Sequence, residues 1–167
     1  MGEVKTLSFG EEINYSGIIN AKGLYNALVS FLSERDYSMV ELLNEEHVYE
    51  DGRQVILVLE PYREISEYAK AQFHIEIVFK KLQDIVVPRG KIKEKTFKGE
   101  VNISFTTQII TDLKGDWSAK PVYFFFKTLL ENFVYGGLLS KYEEEIIVDK
   151  NNLMREVRSY LNMQTFK

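Results

Sequence analysis

The sequence predicts an α+β fold: a curved antiparallel sheet, a short helix after its first strand, and a long C-terminal helix packed across it. Residues 69–79 and 101–111 alternate apolar and polar side chains with the period of two that a half-buried strand requires. From residue 21, Leu24, Leu28, Phe31 and Leu32 instead fall at helical spacing. From Pro121 the three-and-four spacing returns for far longer, so helix is concentrated after the strands and does not alternate with them, the arrangement of α+β chains.

The first strand places Ile13, Tyr15, Gly17 and Ile19 on one face and Asn14, Ser16 and Ile18 on the other; Leu7 and Phe9 begin it, with Gly10 as a bulge or bend. Asn20 stands at the N-cap of a helix over 21 to about 35. Residues 37–49 and 53–60 read as a hairpin turning at Asp51-Gly52, a dipeptide suited to a type I′ loop, which sets Glu50 opposite Arg53 and Val48 opposite Val55. Pro61 ends that strand, and 62–68 reads as a polar connection.

The next strand directs Ala69, Ala71, Phe73, Ile75, Ile77 and Phe79 inward and Lys70, Gln72, His74, Glu76 and Lys80 outward. A short strand at 85–87 leads to a turn at Pro88-Arg89-Gly90, a strand over 91–97 and a second turn at Lys98-Gly99. In the last strand Val101, Ile103, Phe105, Thr107, Ile109 and Thr111 share the inner face. Ser118 caps the closing helix and Pro121 sits in its first turn. Val122, Phe125, Phe126, Leu129, Leu130, Phe133, Val134 and Leu138 form its buried stripe, which Ile146, Ile147, Leu153, Met154, Val157 and Leu161 continue. An unbroken helix of about 43 residues would be roughly 65 Å long, so a kink at Gly136-Gly137 or a break near 149–152 is expected. The domain reading is one unit over 1–142 that includes the closing helix, with 143–167 a helical extension of it.

At 167 residues, 45% of them hydrophobic and 13% aromatic, the chain can bury a substantial core without disulfides or metal. It has no cysteine, which excludes thiolate catalysis, iron–sulfur ligation and cysteine-based zinc sites. Residues 1–5 lack the basic-then-apolar pattern of a secretory signal, and the expected location is the cytoplasm. Lys127, Glu131 and Asn132 interrupt the apolar run after Pro121, so it reads as a core helix and not a membrane span. The net charge of −4 argues against nucleic acid as a general partner. Residues 80–98 depart from that balance, with seven basic side chains against Asp84 and Glu94, a local +5. Lys91, Lys93 and Lys95 project from one face, which reads as a lysine-protected edge or loop, or as a contact for phosphates or an acidic partner.

Convergent chemistry is scarce. His47 and His74 are the only histidines, and the alternation puts His74 on the polar face beside Gln72 and Glu76. Glu11-Glu12 and Glu45-Glu46 are adjacent in strands and so point to opposite faces. Gly136-Gly137, Gly90 and Gly99 form no phosphate loop. No catalytic residue, metal ligand or cofactor is implied.

Strand, helix, antiparallel strands and a long apolar helix, from Leu7 to about Tyr142, resemble the helix-grip architecture of the START and Bet v 1-like superfamily. Here one helix follows the first strand where that family has two, and the C-terminal helix runs past the family's usual end. The tail around Trp117, Pro121, Phe125 and Tyr142 also looks like that of uncharacterised small archaeal proteins, which carries no activity with it. The superfamily resemblance implies a cavity for lipids, hormones or other apolar molecules between sheet and closing helix. Tyr15, Phe73, Ile75, Ile77, Phe105, Thr107, Phe126, Leu130 and Phe133 would converge there, either lining a ligand cavity or filling a dry core. The expected function is a noncatalytic carrier or sensor for an apolar or amphipathic small molecule. The alternative is a protein-interaction module with a filled core that associates through Ile147, Met154, Val157 and Leu161.

Overall fold

In the computed structural model, which describes residues 3–66, 69–111 and 136–165, the alternating segments become one antiparallel sheet with helices gathered on a single face. The strands are β1 (Glu3–Ile19), β2 (Glu41–Tyr49), β3 (Gly52–Leu59), β4 (Tyr62–Ser66), β5 (Ala69–Arg89) and β6 (Ile92–Thr111). The helices are α1 (Ala21–Ser33) and α2 (Gly136–Thr165). The sheet order is β1-β6-β5-β3-β2, with β4 also paired to β5, so the first two strands in sequence form the two edges.

α1 begins as predicted: the Asn20 carboxamide oxygen accepts from the Gly23 amide at 2.9 Å. It ends in a Schellman motif, in which the Tyr37 amide donates to Leu32 O and the Asp36 amide to Ser33 O. Asp36 takes the left-handed conformation at φ 62, where a β-carbon is unfavourable. Asp36→Gly is expected to raise stability by about 0.5–1 kcal/mol. The check is a higher urea midpoint at an unchanged denaturant slope.

The hairpin β2–β3 pairs Tyr49 with Gly52, Val48 with Arg53 and Glu46 with Val55, so its loop is Glu50-Asp51 and the expected register is displaced. Gly52 belongs to the sheet because β5 needs it there. A β-carbon on Gly52 would come within 2.8 Å of the Lys81 carbonyl carbon, at a bulge where Lys81 has φ 53. From the other side, a β-carbon on Gly99 would meet Lys80 O at 2.7 Å. Two glycines thus flank one bulge, and the turn expected at Lys98-Gly99 is instead continuous β6. The short strand expected at 85–87 is likewise part of β5, which runs for 21 residues. Residues 62–66, expected to be a connection, form β4 because β5 extends past the end of β3 and offers them a partner.

Leu24, Leu28 and Leu32 of α1 and Ile146, Leu153, Met154, Val157 and Leu161 of α2 pack onto the inward residues of the sheet in one core. α2 is continuous through 149–152, which corrects the expected break there. Asp149 and Lys150 are themselves buried in its inner stripe. The expected helix start at Ser118 and Pro121 lies outside the described residues.

Candidate functional site

On the inner face of the two central strands, Phe73 lies opposite Thr107, Ile75 opposite Phe105, and Ile77 opposite Ile103. All six are almost completely buried. Five of the nine residues named from the sequence therefore form one contiguous patch. Tyr15 is on the same face but opposite Val101, about 20 Å along β6 from Thr107 at ~3.4 Å per residue. Its hydroxyl donates to Ile18 O at 3.3 Å. Phe126, Leu130 and Phe133 lie outside the described residues.

Thr107 is the polar member of the patch. It is 0% exposed, and its hydroxyl has no hydrogen-bond partner among the described residues. The register places Ser8 of β1 directly opposite, and the Ser8 hydroxyl is also buried and unpartnered. Two neighbouring buried hydroxyls without partners are costly, since each forgoes its hydrogen bonds to water. α2 runs along β1 beside them. Lys5 pairs with Glu143 at 2.6 Å, and Lys150, itself buried, pairs with Glu11, so the two ion pairs bracket Ser8 on the strand.

A second polar cluster ties α2 to α1 and β4. The Tyr37 hydroxyl donates to Asp149 Oδ2 at 3.2 Å, and Arg63 and Arg35 each approach the Asp149 carboxylate at 3.5 Å. Arg63 also donates to Glu145 at 2.9 Å and lies 4.9 Å from the Tyr37 ring centroid, while Arg35 sits 3.6 Å over Phe31. Tyr37 in turn stacks on Phe73 at 5.0 Å. Burial pushes the Tyr37 phenol well above its ordinary range, with the Arg63 charge opposing, so Tyr37 remains a donor. Burial also raises the Asp149 carboxyl, against the pull of Arg63, Tyr37 and Arg35. The cluster was not anticipated from sequence, although Asp149 and Lys150 fall at stripe spacing after Ile146.

His74 does meet a carboxylate: its Nδ1 is 2.9 Å from Glu60 Oε1, and Gln72 donates to Glu60 Oε2 at 2.8 Å. This group lies on the outer face of the sheet, where His74 and Glu60 are half-exposed and Gln72 is buried. His47 is exposed on β2 beside Glu45. Among the described residues no group of His, Asp and Glu has the arrangement of a metal site, and no helix is long and apolar enough to cross a membrane. An open depression of about 360 Å³ lies between α1 and α2 beside Phe31, Arg35 and Arg155, and another of about 410 Å³ lies near Asn14, Lys80 and Asn102. Neither includes Thr107.

Met154, Val157 and Leu161, three of the four residues named for association through the C-terminal helix, are buried in the chain's own core, and Ile147 is half-buried. No protein-family model, curated protein or solved structure matches the chain.

Proposed function

We propose that this is a noncatalytic binding protein of helix-grip type that holds an apolar or amphipathic small molecule between the sheet and the C-terminal helix. The observation that carries the reading is the unpartnered Thr107 hydroxyl with the Ser8 hydroxyl opposite it, set among Phe73, Ile75 and Phe105. An apolar site needs a few polar groups to orient its ligand, and a ligand oxygen placed between these two would satisfy both. The antiparallel sheet with helices on one face is the arrangement such a site uses.

The test is native mass spectrometry of the purified chain, followed by denaturation, release and identification of any bound molecule. A stoichiometric apolar adduct supports the reading. A bare chain that also leaves a fluorescent fatty acid and a fluorescent sterol unbound overturns it. Thr107→Val keeps the shape and removes the hydroxyl. Its expected effect is a ligand-free protein about 1 kcal/mol more stable, because an unsatisfied buried group has gone. The same variant should lose bound ligand, measured as adduct occupancy beside the wild type.

A further inference from the structure

Beyond the pairs Ile19–Phe97 and Arg53–Leu82, neither β1 nor β3 accompanies the two central strands. From Ile85–Thr96 to Arg89–Ile92 they pair, among the described residues, only with each other, so five residue pairs form a two-stranded arm about 17 Å long. Such a ribbon is marginal alone, and this one leaves Val86 56% and Ile92 73% exposed. Lys93 and Lys95 are exposed at alternate positions of its second strand and so share one side, and Lys91 is exposed in the turn that joins its two strands.

The opposite character appears at β2, the far edge of the same sheet. Every residue of β2 except Leu43 is exposed, and among the described residues its outer backbone edge faces no other strand of the sheet. Residues 41–51 contain Glu41, Glu45, Glu46, Glu50 and Asp51 and no lysine or arginine. Leu42, Val48 and Tyr49 are exposed among them. Two copies of β2 aligned edge to edge would set Glu45 and Glu46 against each other, and two arms would set lysine against lysine. Like charges across strands are destabilising, so each edge rejects its own kind. The arm against β2 is the charge-matched combination, with apolar side chains on both partners.

We infer that the arm at 85–96 of one copy docks along the β2 edge of a second copy, extending its sheet by strand addition. The contact is heterologous, because a molecule offers its arm to one neighbour and its edge to another, so assembly proceeds by concentration into rings or short chains. Its small area makes it weak and reversible. Its charge makes it salt-sensitive.

The experiment is sedimentation velocity over a range of protein concentrations at low and high salt. The wild type is expected to gain mass with concentration and to associate at least about tenfold more weakly at 0.5 M salt than at 0.05 M. Two double variants reverse one partner each: Lys93→Glu with Lys95→Glu, and Glu41→Lys with Glu45→Lys. These exposed positions leave the Arg53–Glu46 and Arg53–Asp84 pairs in place. Each variant alone is expected to stay monomeric with an unchanged melting curve. An equimolar mixture is expected to regain association, because acidic arm then meets basic edge as well as the original combination. A wild type that is monomeric throughout overturns the inference, as does association that survives the reversals or a mixture that fails to regain it. Loss of poly(U) RNA binding in the arm variant, with no self-association of the wild type, would likewise overturn it and assign the lysines to a polyanion.

Discussion

Phe73→Ala is expected to destabilise the protein by about 3–5 kcal/mol. Phe73 is 0% exposed at the centre of the inner face, opposite Thr107 on β6 and stacked on Tyr37 at 5.0 Å. Removing the ring forfeits its transfer free energy and leaves a space that the flanking strands cannot close, because their backbones are held by the ladder. The urea midpoint read by circular dichroism checks the magnitude. A loss below about 1.5 kcal/mol would mean that the site collapses or is not packed as described. The same substitution withdraws the surface on which Tyr37 rests and so loosens the donor that Tyr37 presents to Asp149. Its effect should therefore be less than additive with one at Asp149, as expected for residues that share a partner.

What the sequence made legible follows from how strongly each segment is buried on one face only. Residues 69–79 and 101–111 declare their inward sets because a slip of one residue would drive Phe73, Ile75 and Phe105 into water. β4 declared nothing: Tyr62–Ser66 is short, has no fully buried residue, and is strand only because β5 lies beside it. Gly52 and Gly99 looked like turn residues, yet both serve the close approach of neighbouring strands to the bulge at Lys81, a contact no local pattern encodes. The site was half legible for a similar reason. Thr107 stood out as a hydroxyl on an apolar face, but Ser8 did not, because β1 slips register on both sides of it and each slip moves the inward phase by one residue. Counting by twos from Ile13 reaches Glu11 and then the exposed Phe9, whereas the fold turns Ser8 inward. A break is expected near Asp149 because an unbroken helix looks too long for the domain, whereas Asp149 and Lys150 lie in its buried stripe. Their counter-charges come from Arg35, Arg63 and Glu11, far away in sequence.

Asp149→Ala is expected to cost about 3 kcal/mol, because the substitution leaves the half-buried Arg63 and Arg35 without their shared counter-charge and the buried Tyr37 hydroxyl without an acceptor. Asp149→Asn should cost less, since the amide oxygen still accepts from Tyr37, and it isolates the contribution of the titrating proton. Burial raises the Asp149 carboxyl in the folded chain above the ordinary 3.8, so between that value and the raised one the folded state binds the proton more tightly than the unfolded state. Stability from this group therefore grows as pH falls through the raised value toward 3.8 and is lost as pH rises back through it, opposite to a carboxylate stabilised mainly by its ion pairs. Urea midpoints of the wild type and Asp149→Asn measured between about pH 4 and 7 should diverge toward acid, with the wild type gaining on the variant. Divergence toward neutral pH would show that the two arginines outweigh burial at this site. The result matters beyond one side chain because Asp149 joins α2 to α1 and β4, and α2 lies along β1 beside Ser8.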